Sequence, residues 1–293
     1  MNEPAELSGH PVVVVPGFMS DGRIWEPQIR LLSRYDVPVT VAPVLSADRV
    51  EDVAASLLAH LPAKFTVIGA GLGGSIAMSM LEVAPDRIAG IGLIASSPLS
   101  ETPAKAAERE PWIIRARSGR LRAVMQDVFP AASLAPSPLR SQIMGQIADM
   151  AEDLGPDIFV AQSRMLQRRI DQQATLMRAE QPGLVICGVH DQIIPVKRQM
   201  FTAELMKNTR MEMIEDAGHL PLMEQPDRIS AILHSWIVGD GAARESAAPS
   251  EHEPLWVSRR SRRNFQPSPV ASQVIEPVPE EILQLTPALR ASA

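Results

Sequence analysis

The chain has 293 residues, of which 45% are hydrophobic and 21% are charged, and its formal net charge is −6 at pH 7. These values predict a globular protein that buries a sizeable core, and the negative charge disfavours a nucleic-acid partner. The single cysteine, Cys187, excludes an intrachain disulfide and any metal site built from several cysteines.

The first residues carry no targeting signal that we identify. Asn2-Glu3-Pro4 is polar and acidic, unlike the basic and then apolar start of a signal peptide. The first apolar run, residues 12–15, is far too short to span a bilayer. We therefore expect a cytoplasmic protein without a membrane span.

Short β-branched runs alternate with amphipathic segments, which is typical of βαβ units in a mostly parallel, doubly wound sheet of the α/β class. Several of the runs are uniformly apolar, which indicates strands covered on both faces. Six strands are predicted, at residues 12–15, 39–41, 65–68, 91–94, 184–187 and 210–214.

Helices are predicted between the strands. Ser46 or Asp48 would cap one that continues through Leu58, and further helices cover residues 72–83 and 226–238. Residues 98–181 break the alternation, because they contain helical patches at 139–153 and 158–177 but no convincing strand. The prediction is a core of residues 1–97 and 182–239, with a helical cap of residues 98–181 inserted between two strands.

The composition changes after residue 239. Prolines recur, apolar residues become sparse, and residues 240–293 are predicted to be a largely disordered tail. Within it, residues 256–265 enclose four arginines between aromatic side chains. This stretch is a candidate site for weak binding of an acidic partner or membrane surface, and a solvated linker is the alternative.

The chemistry is concentrated in loops that follow predicted strands. In an open parallel sheet, ligands bind at the carboxyl ends of the strands, so these loops are expected to meet at one edge. The loops are Pro16-Gly17-Phe18-Met19-Ser20-Asp21-Gly22-Arg23-Ile24-Trp25, Gly69-Ala70-Gly71-Leu72-Gly73-Gly74, Gly188-Val189-His190-Asp191 and Asp216-Ala217-Gly218-His219-Leu220-Pro221.

The order of these loops over residues 11–238 resembles the α/β-hydrolase family, in particular its capped esterase and carbon–carbon-bond hydrolase branch. Asp-x-Gly-His followed by Glu224-Gln225-Pro226 is a specific part of the match, and Arg169-Ile170-Asp171 resembles one bacterial subgroup. The resemblance implies an α/β-hydrolase fold, with His219 as the base and Asp191 as the acid that orients it. It also implies an oxyanion hole formed by the backbone amides of Phe18 and Leu72.

The sequence departs from the family at the nucleophile. The family motif is Gly-x-Ser-x-Gly, with serine on a strained turn between a strand and a helix. Here the motif is Gly69-Ala70-Gly71-Leu72-Gly73, so Gly71 occupies the nucleophile position without a side chain. The framing glycines predict that the turn is kept. His219 would then act on a water molecule or on a substrate proton.

Other serines are candidates for the missing nucleophile. Ser75 lies one helical turn after Gly71 and is more typical of a packed helix serine, and Ser96 and Ser97 are expected to shape the turn into the cap. Gly69, Gly71 and Gly74 imitate a dinucleotide fingerprint, but no acidic residue follows at the expected distance. We therefore predict neither a cofactor nor a metal.

Two functions remain open on the sequence. The first is a hydrolase acting on a small apolar ester or related carbonyl compound, or a lyase, driven by His219 and Asp191 without serine. The second is an inactive pseudo-hydrolase that binds an apolar ligand or a protein partner. An introduced change at Gly71 is a third explanation. In each case the expected pocket wall includes Met19, Ser20, Trp112, Met125, Phe129, Phe159 and Met165.

Overall fold

A computed structural model describes residue 7 and residues 9–43 and 46–239. Within these residues, six strands form one parallel sheet in the order β2-β1-β3-β4-β5-β6. The strands are β1 Val12–Val15, β2 Val39–Val41, β3 Phe65–Ala70, β4 Ile88–Ile94, β5 Gly183–Gly188 and β6 Thr209–Ile214. The α/β class and the parallel sheet predicted from the sequence are confirmed. The predicted tail, residues 240–293, lies outside the described residues.

Helices flank the sheet and bury its central strands. All residues of β1, β3 and β5 are buried, whereas the edge strands β2 and β6 are partly exposed. This burial explains the uniform apolarity of the central strands, because both of their faces are covered. Helices flanking the sheet are α1 Glu26–Ser33, α2 Val50–Leu58, α3 Leu72–Val83, α8 Val196–Leu205 and α10 Pro226–Ile237, and the short α9 Pro221–Glu224 precedes α10.

The predicted start of α2 is wrong. The helix begins at Val50, and its N-cap is Arg49, whose side chain makes no capping hydrogen bond. Asp48 lies outside the helix and forms a salt bridge with Arg168 instead. Arg168, which is distant in sequence, thus binds the Asp48 carboxylate that the local sequence suggested as a helix cap.

Four helices lie between β4 and β5, and we call this segment the helical insertion: α4 Pro103–Arg115, α5 Leu121–Val128, α6 Arg140–Arg168 and α7 Gln173–Arg178. The gap between the two predicted helical patches, at residues 154–157, corresponds to a kink at Gly155 inside α6, with φ 83°. The predicted helix at 158–177 is instead split, because α6 ends at Arg168 and α7 begins at Gln173. The division into a core and a cap stays a prediction. None of the helices described has the combined length and apolarity needed to cross a membrane.

The turn from β3 into α3 is built on two glycines that bring backbones together. A Cβ atom at Gly69 would lie 2.2 Å from the carbonyl oxygen of Gly73, and one at Gly73 would lie 2.2 Å from that of Val15. Both separations are far shorter than any contact a side chain tolerates. These glycines therefore set how closely α3 approaches the ends of β1 and β3, where the sheet order reverses direction.

We expect Gly73→Ala to destabilise the protein by about 3 kcal/mol, because the added methyl group overlaps the backbone of β1 and forces it aside. The measurement is urea unfolding at equilibrium. Gly145→Ala is the matched control, since a Cβ there meets nothing within 4 Å. That control replaces a helical glycine and should gain about 1 kcal/mol. Equal stability of Gly73→Ala and the parent chain would show that the turn is less tightly packed than described.

Candidate active site

A histidine and an aspartate from two different loops form a buried pair at the carboxyl edge of the sheet. His219 follows β6, Asp191 follows β5, and Nδ1 of His219 lies 2.9 Å from Oδ2 of Asp191. The Asp191 side chain is fully buried. Because the carboxylate accepts the hydrogen bond at Nδ1, Nε2 is left as the acceptor nitrogen of the neutral ring. That is the form in which an imidazole acts as a general base.

The Asp191 carboxylate is held by hydrogen bonds from its own loop and from α8. Oδ1 accepts from the backbone N–H groups of Ile193 and Ile194, each at 2.9 Å. Oδ2 accepts from Nε2 of Gln199 at 3.1 Å in addition to His219. A buried carboxylate with four hydrogen bonds is both stabilised and fixed in orientation, so it positions the imidazole rather than competing for its proton.

The histidine loop is attached to the helical insertion. The N–H of His219 donates to the carbonyl oxygen of Ser133 at 2.8 Å, and the ring of Phe129 lies 5.8 Å from the imidazole, centroid to centroid. The insertion therefore helps to position His219.

Glu224 holds this loop in place. Its carboxylate accepts hydrogen bonds from the backbone N–H groups of Gly218, Leu220 and Ala135 at 2.7–3.0 Å. Burial nonetheless raises the pKa of Glu224 above its ordinary value of 4.5, because desolvation outweighs the three amide donors and the nearby His219.

The backbone at Gly71, the predicted nucleophile position, has a positive φ. Gly71 has φ 52° and ψ −113°, and a Cβ placed on it would meet no atom within 4 Å. Positive φ values also occur at Met19 (50°) and Ala95 (47°), at the ends of the neighbouring loop and strand. Met19 and Ala95 are not glycines, so their positive φ values indicate backbone strain maintained by the surrounding fold.

The two backbone amides expected to form the oxyanion hole lie beside this turn. Leu72 is the first residue of α3, so its N–H has no partner inside the helix. The N–H of Phe18 donates no hydrogen bond within the described part of the chain. The next amide, that of Met19, is taken by Oε1 of Gln162 at 2.7 Å, which ties the loop to α6. Phe18 and Leu72 therefore supply two free donors at one edge of the sheet.

These elements enclose a cavity of about 320 Å³, which we call the site cavity. Of the residues predicted to form the site, seven line it: Phe18, Ser20, Gly71, Leu72, Trp112, Phe129 and His219. Asp191 lies behind His219. Four predicted pocket residues do not line the cavity and are buried in the core instead: Met19, Met125, Phe159 and Met165. Phe159 contacts the site only indirectly, since its ring packs edge-on against Phe18 at 5.3 Å.

Charged side chains line the same cavity and were not predicted to do so. They are Glu101, Lys105, Glu108, Arg109, Asp127, Arg169 and Arg198. All but Arg198 belong to the segment between β4 and β5. The sequence signal that bears on them is Arg169-Ile170-Asp171, whose family resemblance does not by itself assign it a role. No group of three or more metal-binding side chains is found among the described residues.

The alternative nucleophiles are engaged elsewhere. Oγ of Ser96 donates to the carbonyl oxygens of Gly71 and Ile94 at 3.1 and 2.9 Å, so it supports the turn. Oγ of Ser75 accepts a hydrogen bond from Arg169 at 3.3 Å. Cys187 is buried in β5, and burial with the neighbouring Asp191 raises the pKa of its thiol to about 11. A thiol with that pKa stays protonated and is a poor nucleophile.

Comparison with known proteins assigns the fold to a family. The model of the alpha/beta hydrolase family matches residues 12–232. Among curated proteins, the chain is similar to a pimeloyl-acyl-carrier-protein methyl ester esterase of Photobacterium profundum, with 24% identity over 245 residues. That match covers 79% of this chain and 96% of the relative.

Solved structures give the same fold. A thermophilic esterase from Thermogutta terrifontis, with malate bound, is 25% identical and superposes with a TM-score of 0.70, covering 79% of this chain and 90% of the other. The enol-lactonase from Burkholderia xenovorans is 18% identical with a TM-score of 0.69, covering 79% and 92%. These neighbours confirm the predicted α/β-hydrolase fold.

The buried carboxylate of Glu224 yields a test of the histidine loop. Because the folded-state pKa of Glu224 is raised, its contribution to stability is fully present below about pH 4.5 and is lost as the pH rises through the folded-state value. Replacing it by glutamine removes this dependence. We expect the unfolding free energy of the parent chain, minus that of Glu224→Gln, to decrease between pH 4 and pH 7 in urea titrations.

Glu215→Gln is the control, because Glu215 is an exposed carboxylate in the same loop. Its difference from the parent should change little over that range. A parent-minus-variant difference for Glu224→Gln that instead grows with pH would show that the three amide donors dominate over burial.

Proposed function

The chain belongs to the alpha/beta hydrolase family, and we propose that it hydrolyses a carboxyl ester or a related carbonyl compound without a serine nucleophile. In this proposal His219, oriented by Asp191, activates a water molecule directly. The observation that carries it is the buried 2.9 Å hydrogen bond between these two side chains, facing the cavity that Gly71 also lines. The curated relatives named methyl ester esterases support a carboxyl ester as the substrate class.

The proposed reaction has one addition and one elimination. Nε2 of His219 takes a proton from water while the water oxygen bonds to the carbonyl carbon, and the carbonyl oxygen becomes an oxyanion. The backbone N–H groups of Phe18 and Leu72 donate to that oxyanion. The tetrahedral intermediate then expels the alcohol oxygen, which receives the proton from the imidazolium. The products are an acid and an alcohol, and the histidine returns to its neutral form.

Gly71 makes room for this route. A side chain on the turn would project into space where no atom lies within 4 Å, so a water-sized molecule has room there. In serine hydrolases that lose a triad member, the oxyanion hole and substrate binding still accelerate the reaction about 10³- to 10⁴-fold over water. Slow turnover by a base and an oxyanion hole is therefore the expected level of activity. The same base acting on a substrate proton would support lyase chemistry.

A second candidate function is ligand binding without turnover. It is favoured by Gly71 itself, because the attacking oxygen is missing while the cavity and the loops around it are retained. Under this alternative, His219 and Asp191 serve to shape a binding site for an apolar ligand. The two functions make opposite predictions for a His219 substitution.

Hydrolysis of short p-nitrophenyl esters separates them. We expect the parent chain to hydrolyse such esters slowly, and His219→Ala to lower the rate about 10²- to 10⁴-fold, which is the usual contribution of a positioned general base. His190→Ala is the matched control, because His190 is an exposed histidine in the Asp191 loop and should leave the rate unchanged. A parent chain with no activity above that of His219→Ala would contradict the proposal.

Gly71→Ser tests the retained turn. We expect the serine to raise turnover, by up to about a millionfold, because it supplies the oxygen that the base and the oxyanion hole otherwise lack. It should also make the chain reactive toward a fluorophosphonate, with labelling absent from the parent and from Gly71→Ala. An inactive parent together with an active Gly71→Ser variant would favour the binding function. Silence of Gly71→Ser would instead argue that the turn does not present a side chain to His219.

A further inference from the structure

The site cavity has a cationic wall that ester hydrolysis by His219 does not require. Four basic side chains line it, namely Lys105, Arg109, Arg169 and Arg198. Three carboxylates line it as well, but Glu101 is paired with Arg109 and Asp127 with Arg115. Within the described residues, Lys105, Arg169 and Arg198 form no salt bridge, so three cations face a single remaining carboxylate, that of Glu108.

Arg109 is the best-fixed member of this wall. Its guanidinium makes a two-pronged pair with Glu101, at 2.7 and 2.8 Å, and both side chains are largely buried. The same guanidinium lies 5.7 Å from the ring centre of Phe18, whose amide is one of the oxyanion donors. Nη1 of Arg109 is buried and has no hydrogen-bond partner within the described chain. A charged donor is therefore held beside the reacting centre with one nitrogen unused.

Arg169 supplies a second unused donor. It follows the end of α6, and its Nη1 donates to Oγ of Ser75, one helical turn beyond Gly71, at 3.3 Å. Its Nε is buried and, among the residues described, has no partner. Burial lowers the pKa of Arg169, the charge of Glu101 opposes this shift, and the neighbouring Arg109 and Arg198 lower the pKa further. This guanidinium has one buried nitrogen without a partner and forms no salt bridge among the described residues, which is costly unless an anion compensates it.

We propose that Arg109, Arg169 and Arg198 form a subsite for a carboxylate group carried by the substrate. The natural substrate would then be an acid with a second, hydrolysable carbonyl group, such as the half-ester of a dicarboxylic acid. A carboxylate is favoured because it is planar and accepts hydrogen bonds from guanidinium groups in two directions. This inference rests on the proposed function for the reaction, and it replaces the purely apolar ligand that the sequence suggested.

The position of the subsite gives it a role in orientation. Arg109 lies over the ring of Phe18, and Arg169 donates to Ser75, one helical turn after Gly71. A carboxylate bound between them would fix one end of the substrate, so that its ester carbonyl is directed toward the amides of Phe18 and Leu72. Neutral esters of the same size would lack this anchor and bind more weakly.

Binding of compounds that are not esters tests the subsite independently of turnover. The probes are glutaramate, which has one carboxylate and one amide, and glutaramide, the neutral diamide of the same length. We expect calorimetry with the full chain to show glutaramate binding at least 10-fold more tightly than glutaramide. Arg169→Met should abolish this preference, and Arg169→Lys should reduce it, because lysine keeps the charge but loses the planar fork.

Arg168→Met is the matched control, since Arg168 is the adjacent exposed arginine and pairs with Asp48 on the surface. It should leave the preference unchanged. If Arg169→Met does not fold, Arg198→Met replaces it, with the same expected loss. Equal binding of the two probes, or an unchanged preference in both variants, would overturn the proposal. Inorganic phosphate binding as tightly as glutaramate would overturn the assignment to a carboxylate.

The two proposals fail in different ways. A chain that discriminates glutaramate from glutaramide but hydrolyses no ester would retain the carboxylate subsite and lose the proposed reaction. A chain that hydrolyses neutral esters through His219 but binds both probes equally would retain the reaction and lose the subsite.

Discussion

The hydrogen bond between Asp191 and His219 is the contact on which the rest of the site depends. It joins the loops after β5 and β6, and each partner is held by groups from a different part of the chain. Gln199 of α8 fixes the aspartate, while the carbonyl oxygen of Ser133 holds the amide of His219. Glu224 connects the histidine loop with the amide of Ala135. The parallel sheet and the helical insertion must therefore both be in place before the base is oriented.

The turn at Gly71 has the backbone conformation expected of a serine nucleophile but no side chain. Its backbone conformation depends on close approaches at Gly69 and Gly73, where a Cβ would meet a carbonyl oxygen at 2.2 Å. By contrast, a Cβ at position 71 would meet no atom within 4 Å, so no packing contact requires a side chain there. Glycine also relieves the strain of a positive φ, which costs other residues of order 1–3 kcal/mol. The oxyanion donors can thus persist without the nucleophile, because they depend on the backbone alone.

Patterns local in sequence were sufficient for the sheet and for the loops that carry the acid and the base. β-Branched runs gave all six strands, and the order of loops placed Asp191 and His219 at one edge. The cavity wall was harder, because it depends on how the insertion packs. Met125 and Phe159 are apolar residues that packing places in the core, while Arg109 and Arg169 lie on the cavity. Hydrophobicity alone predicted that Met125 and Phe159 would line the cavity. Arginines line it instead, because their long aliphatic stems can pack along a cavity wall while the charged group stays accessible.

The charges of Arg169 and Arg198 in the cavity gain importance from the glycine at position 71. A base acting on water needs the substrate carbonyl to stay in place, because no covalent bond to the protein holds it during the reaction. Positioning then depends on non-covalent contacts, and a charged anchor beside Phe18 supplies one that a neutral pocket does not. Arg169 and Arg198 line the cavity and form no salt bridge among the described residues, so their charges are available for that anchor. Under the proposed mechanism, a reaction without a covalent intermediate depends more strongly on a substrate that brings its own carboxylate.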